Sequence, residues 1–375
     1  MQKTLNIDKA NQAIESKGLT QTAIAKNLGV SKEAVSQWFK SKTFPRPNKL
    51  LQLGKLLELG FDELVIKDDP LAPKVAFRKM KGTKTQNHHI EKAQEMGCFL
   101  RHLVPFVPFD TLEVPPILKS PLCEYNYLCE VTAKVRRDIN LSETEVVDFS
   151  HLIRRFSELQ TVIVPVLWGR KQRHENALHI HLPDSQTTWV YLNLDTNIHD
   201  FKFWMAHELG HCLSPSLSGD EAEDFADAFA GSLLFPHALA ADAYQCLSHE
   251  RTITGKIKVL LSLAKQYVIS PYTVKGQVEK YAVQNSLPVF NYGKSAGGAI
   301  TNFNKAYLNV SEAVFGKETK PEAKDYIQKV EQEFSTPFFE LLRQYLKQNN
   351  KGSGIVQALM DVPLLDARSI HAELS

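Results

Sequence analysis

His207 and His211 stand four residues apart in the segment His207-Glu208-Leu209-Gly210-His211. Around them run Phe201, Phe203, Trp204, Met205, Leu209 and Leu213, a spacing that predicts a helix from about 199 to 213. Residues i and i+4 share one helix face, so the two imidazoles would converge on one point and can ligate one Zn2+ ion. Glu208 lies about 100° round the helix from His207. That is a poor position for a ligand and a good one for a general base acting on a water at the ion, as hydrolysis requires. Catalytic zinc takes three protein ligands. The next predicted helix, about 220 to 235, offers Glu223 and Asp227, again four apart, with Ala226 and Ala230 as small residues for close packing. Glu223 is the expected third ligand, and Asp227 the expected acceptor for the second ring N–H of a ligand histidine. Glu221 competes with Glu223 but has no partner at the same spacing. Cys212 points about 100° away from His211 and reads as a small core residue.

These side chains need a scaffold, and the flanking sequence predicts one. Thr161 to Leu167, Ala177 to Leu182 and Thr188 to Leu194 read as strands, the last two joined by a turn at Pro183, Asp184 and Ser185. Ser142-x-x-Glu145 has the form of a capping box and predicts a helix to about Leu159. A helix pair is expected at Ile257–Val268 and Pro271–Tyr281. Beyond 290, Gly293, Gly297 and Gly298 mark a break, and helical patterns resume at about 303–315, 321–333 and 336–348.

The run His207–His211, then Glu223-x-x-Ala226-Asp227-x-Phe229-Ala230-x-x-Leu233-Leu234-x-Pro236, resembles the ImmA/IrrE family of metallopeptidases. The strand Trp189–Asn193 and the later Leu263-Ala264-Lys265-x-Tyr267 fit its layout, and the resemblance spans roughly residues 125 to 285. It implies a gluzincin-type site, with His207, His211 and Glu223 on zinc and Glu208 as general base. Asp227 departs from the family's usual Asn, and Phe235 from its usual Met. The strand Trp189–Asn193 is expected to pair with an extended substrate. The group stabilising the oxyanion is not legible; His237 and Tyr244 are the candidates.

At the other end, the stretch from Gly18 to Trp38 has helix-turn-helix spacing. Thr20–Leu28 is expected as its first helix, Gly29 as the left-handed turn residue, and Ser31 as the cap of the recognition helix. The pattern resembles the Xre/Cro family of DNA-binding domains over roughly residues 5 to 65. That resemblance places Lys32, Glu33 and Gln37 at base edges, and Gln21, Lys40 and Lys42 at phosphates. Residues 1–65 hold ten Lys/Arg against six Asp/Glu, a local charge of +4. The rival reading of this unit is a helical protein-interaction module.

The whole chain, 375 residues with a net charge of only +2, is not a polycation, so any nucleic-acid affinity must be local. Five loosely spaced cysteines without a Cys-x-x-Cys pair argue against a thiolate zinc site or disulfide framework. No apolar run is long enough for a membrane span, and a cytoplasmic protein is expected. Gly293-Lys294-Ser295 lacks the upstream glycine of a phosphate loop, and the basic run from Lys74 to Lys84 reads as a solvated linker.

The expected fold is α+β, mostly α. It comprises a helix-turn-helix domain (1–66), a linker and irregular segment (67–122), a gluzincin-like metallopeptidase domain (123–290) and a helical C-terminal region (291–375). The expected function is zinc-dependent cleavage of a protein substrate, which the family resemblance suggests is a transcriptional repressor or antitoxin-like regulator. DNA is the second expected partner, and a homodimer is compatible with the sequence. The alternatives are a DNA-binding regulator whose metal domain senses without cutting, and a toxin–antitoxin-like component acting by protein contact.

Overall fold

The computed structural model describes residues 3–40, 43–67, 71–76, 87–108, 117–169, 176–293, 295–316 and 320–375. The chain divides into two compact units, Met1–Ala72 and Pro73–Ser375. It is mostly helical, with one four-stranded sheet. None of the described helices is long and apolar enough to cross a membrane.

The first unit contains α1 (Ile7–Ser16), α2 (Gln21–Leu28), α3 (Lys32–Phe39), α4 (Pro47–Leu57) and the short α5 (Phe61–Leu64). Ile24, Ala25, Leu28, Val35, Trp38, Leu50, Leu53 and Leu57 form its core. The expected Ser31 cap and Gly29 turn are in place: Ser31 Oγ accepts from the Ala34 amide at 3.1 Å, and Gly29 turns with φ 60°. Thr20, expected as the first helical residue, is instead the cap of α2, its Oγ1 accepting from the Ala23 amide at 3.2 Å. Lys49 adds a cap the sequence did not reveal, donating its ammonium to the Leu28 carbonyl at the end of α2. The unit is closed by β1 (Lys3–Leu5) and β2 (Val65–Lys67), which pair antiparallel and tie its two ends together.

The second unit is built on β3 (Lys74–Ala76), β4 (Thr161–Val166), β5 (Ala177–Leu182) and β6 (Thr187–Asn193), in the spatial order β3–β5–β6–β4. β4 runs parallel to β6, and the other pairs are antiparallel. Ahead of β4 come α6 (Asn87–Leu100), α7 (Tyr125–Asp138) and α8 (Phe149–Glu158). After β6 come α9 (Ile198–Leu213), α10 (Gly219–Leu234), α11 (His237–His249), α12 (Ile253–Tyr267) and α13 (Pro271–Gln284). The chain ends with α14 (Ser295–Lys305), α15 (Val310–Phe315), α16 (Ala323–Phe334), α17 (Phe338–Asn349), α18 (Ser353–Met360) and α19 (Leu364–Leu374).

The sheet is covered on both faces. One face bears Ile180, Trp189 and Tyr191 and is closed by α6 and the C-terminal helices; Tyr191 donates to the Leu359 carbonyl at 2.7 Å. The other face bears His179 and lies against α9. One apolar core runs from Ala93 to Leu374. This corrects two expected boundaries. Residues 67–122 supply an edge strand and a covering helix to the second unit, although the basic positions Arg78, Lys79, Lys81 and Lys84 lie outside the described residues. Residues 291–375 do not form a separate region, because β4 and β6 are apolar on both faces and the second face needs a cover. Tyr326 and Thr336 fasten that cover, donating to the carbonyls of Pro165 and Ile163 on β4.

The expected capping box is also corrected. Glu145 Oε2 does accept from the Ser142 amide at 2.6 Å, but no helix follows it. α8 begins seven residues after Ser142, behind Asp148, whose reciprocal partner is His151. The buried guanidinium of Arg136 holds the intervening chain, donating to the carbonyls of Ser142 at 2.9 Å, Leu233 at 2.7 Å, and Glu145.

Candidate metal centre

α9 is buried on nearly every side, and its polar residues are therefore confined to places where they find partners. Asn197 caps it, accepting from the His199 amide at 3.1 Å. α10 opens with Asp220 and Glu221 in its first turn, where the helix dipole favours acids. The two helices pack closely because position 210 is glycine. A Cβ there would stand 3.1 Å from Ala226 Cα and 3.2 Å from the Phe229 ring. Ala226, singled out in the sequence for its size, is thus the residue at the crossing.

The crossing brings three donors together. His207 Nε2 and His211 Nε2 are 3.1 Å apart. Glu223 places one oxygen 3.4 Å from His207 Nε2 and the other 3.4 Å from His211 Nε2. Ligands about 2.0–2.1 Å from a tetrahedral ion lie about 3.3 Å from one another, and the two ring nitrogens and the carboxylate are close enough together to share one such ion. Two imidazoles and a carboxylate are also a donor set suited to zinc. Glu221, the competing residue, is exposed and stands outside this cluster.

Asp227 takes the expected place behind the cluster, with Oδ1 2.9 Å from His207 Nδ1. Burial disfavours a charged His207, but the hydrogen bonds to Asp227 and Glu223 outweigh it and hold its pKa up at about 9. Burial likewise opposes the Glu223 charge, and the hydrogen bonds from His207 and His211 overcome it, bringing the carboxyl down to about 2. Two carboxylates thus face the His207 ring from its two nitrogens, an arrangement that favours positive charge at this point.

Glu208 is 3 % exposed, and its Oε2 meets no hydrogen-bond partner among the described residues. Burial pushes its carboxyl up to about 8. His179 on β5 places its Nδ1 3.8 Å from Glu208 Oε2. His179 also faces the His211 ring, with centroids 5.6 Å apart, and the Cys212 thiol at 4.0 Å. Sequence reasoning missed this residue, though a signal existed. In Ala177-Leu-His-Ile-His-Leu182, the alternation puts His179 and His181 together on the face opposite Leu178 and Ile180. Cys212 is a core residue as expected, its thiol pushed up to about 12 by burial.

Three expectations about the surroundings change. The strand Trp189–Asn193 lies within β6, flanked by β5 and β4 along its length, so it has no free edge to offer a substrate. His237 shares a hydrogen bond with the Tyr125 hydroxyl at 3.0 Å, and Tyr244 donates to the Pro288 carbonyl at 3.0 Å. Both have structural partners on α7 and after α13, and neither has a contact that supports an oxyanion role.

In the first unit, Lys32, Glu33, Gln37 and Lys40 are exposed along and just beyond α3, and Gln21 opens α2. Lys42 lies outside the described residues. Val35 and Trp38 turn into the core, which leaves the opposite face of α3 free for a duplex groove.

Residues 11–64 match the family model described as helix-turn-helix. No curated protein and no solved structure matches the chain. The match covers the first unit, and it supports DNA as a partner.

Proposed function

We propose that this chain is a zinc-dependent endopeptidase joined to a DNA-binding unit, acting in the cytoplasm on a transcriptional repressor or antitoxin-like regulator. The observation that carries the proposal is the convergence of two buried histidines and a largely covered carboxylate at separations of 3.1, 3.4 and 3.4 Å, with a buried glutamate beside them whose Oε2 has no hydrogen-bond partner among the described residues. His207, His211 and Glu223 would hold the ion, and Asp227 would fix the His207 tautomer so that Nε2 points inward. A zinc ion bound there supplies Lewis-acid polarisation of a scissile carbonyl and an acidified water. Glu208 would serve as the general base beside the site, holding a proton taken from the attacking water and passing it to the leaving amine. Its burial suits a group that must carry a proton near neutral pH. The resemblance of the α9–α10 sequence to ImmA/IrrE metallopeptidases supports the same reading and suggests the regulator as substrate.

The test is elemental analysis of purified wild type and Glu223→Ala, followed by cleavage assays of wild type and Glu208→Gln. The proposal expects one zinc per chain, lost in Glu223→Ala, and cleavage that Glu208→Gln abolishes while keeping its zinc. Wild type prepared without chelator and free of zinc would sink it. The helix-turn-helix match favours a second reading, a DNA-binding regulator whose metal domain does not cut; equal processing by wild type and Glu208→Gln would establish that one.

A further inference from the structure

An extended peptide reaches a buried cluster of this kind by adding a strand to a sheet edge. The sheet has two edges. The outer side of β4 is closed by α8, α16 and α17, and its Ile163 and Pro165 carbonyls already accept from Thr336 and Tyr326. Toward the other edge lies β5, the strand that carries His179. There the position beside β5 is filled by β3, a three-residue piece of the chain that follows directly on the helix-turn-helix unit.

The register of β3 brings it onto the site. Ala76 pairs with His179, Val75 with Ile180 and Lys74 with His181. Directly opposed residues on neighbouring strands share a face. Ala76 therefore lies on the face where His179 stands 3.8 Å from Glu208, whereas Val75 packs with Ile180 toward the core. β3 also packs against α10, the helix of Glu223 and Asp227. It is thus flanked by the strand and the helix that border the cluster, antiparallel to β5, as an added peptide strand would be.

From this geometry we infer that β3 is a built-in occupant of the substrate channel, an autoinhibitory strand that an incoming extended peptide must displace. The inference rests on the peptidase reading above and specifies its regulation. The hold is suited to displacement. Among the described residues β3 pairs with β5 at three positions, a short hold. The anchor is Pro73, which is buried against Gly97 of α6. A Cβ at Gly97 would stand 2.5 Å from Pro73 Cβ, so only glycine lets the proline seat at this distance.

The test uses full-length zinc-loaded protein and a short extended peptide hydroxamate, whose affinity calorimetry reads without any need for cleavage. Val75→Pro and Ala76→Pro are compared, because successive amides of a strand point to opposite sides and only one of the two substitutions removes a bond to β5. Gly97→Ala loosens the same strand from outside by displacing Pro73. The hydroxamate should bind about tenfold or more tightly to Gly97→Ala and to one proline variant, at unchanged zinc content, and about equally to wild type and the other. Equal affinity in wild type and all three variants would overturn the inference. So would a cut within residues 74–76 of the wild-type chain that Glu208→Gln lacks, since β3 would then be a substrate. Tighter binding in proteins that cut no peptide would uphold the occupant and defeat the peptidase reading alone, and wild type without zinc would defeat both.

Discussion

The two units place their candidate functional residues in opposite ways. The helix-turn-helix unit displays Lys32, Glu33, Gln37 and Lys40 from nine consecutive positions, all exposed. The larger unit gathers His179, His207, Glu208, His211 and Glu223 from β5, α9 and α10, and buries nearly all of them. A surface site of the first kind can change without disturbing its core. A buried site of the second kind stands on the same close packing that holds the unit together, so function and stability are coupled there.

That contrast can be broken or sharpened by experiment. The largest effect belongs to Glu208→Gln, which should lower peptide cleavage by about 10²–10⁴-fold, the usual contribution of a general base, with zinc retained. A variant that still cuts at wild-type rate would remove Glu208 from the chemistry. Next is Arg136→Ala, which strands three carbonyls inside the larger unit. Unfolding of that unit in urea should come earlier by about 3 kcal/mol or more, with the helix-turn-helix transition unmoved; a joint shift of both transitions would mean that the units do not unfold independently.

A smaller effect is a pH dependence. Lys202 is buried with its ammonium donating to the Tyr267 carbonyl at 2.9 Å, and burial brings its pKa down from 10.5 to about 8. Below pH 8 both folded and unfolded chains carry this proton and the burial cost is fully felt. Between about pH 8 and 10.5 the unfolded chain alone holds it, so Lys202 makes stability rise with pH across that window. Urea melts of Lys202→Met should show that rise flattened, and an unchanged slope would locate the titration elsewhere. The smallest effects are expected on the exposed helix. Lys40→Ala should weaken DNA binding across all sequences and reduce the salt slope by about one, whereas Gln37→Ala should relax sequence preference. Footprints unchanged in both variants would favour a protein-interaction role for this unit.

Legibility follows the same division. In the helix-turn-helix unit, the turn glycine and the Ser31 cap were readable, because each depends on neighbours within a few residues. The Lys49 cap on α2 was not, since it comes from twenty-one residues away. In the larger unit, the clustering of His207, His211 and Glu223, with Asp227 behind, followed from two i, i+4 pairs. The helix after Ser142 was misplaced because the buried Arg136 guanidinium, and not the Ser142–Glu145 cap, holds the chain there.

By itself the sequence determined which side chains share a helix face, where α3 begins, and that β4 and β6 are apolar enough to need cover on both sides. These are consequences of backbone periodicity and of local hydrogen bonding. Only the tertiary structure decided that His179 joins Glu208, that the C-terminal helices supply the cover, and that Lys74–Ala76 takes the sheet edge beside the cluster. Each of these depends on pairing between segments far apart in the chain, where strand order and register are settled by packing of the whole core.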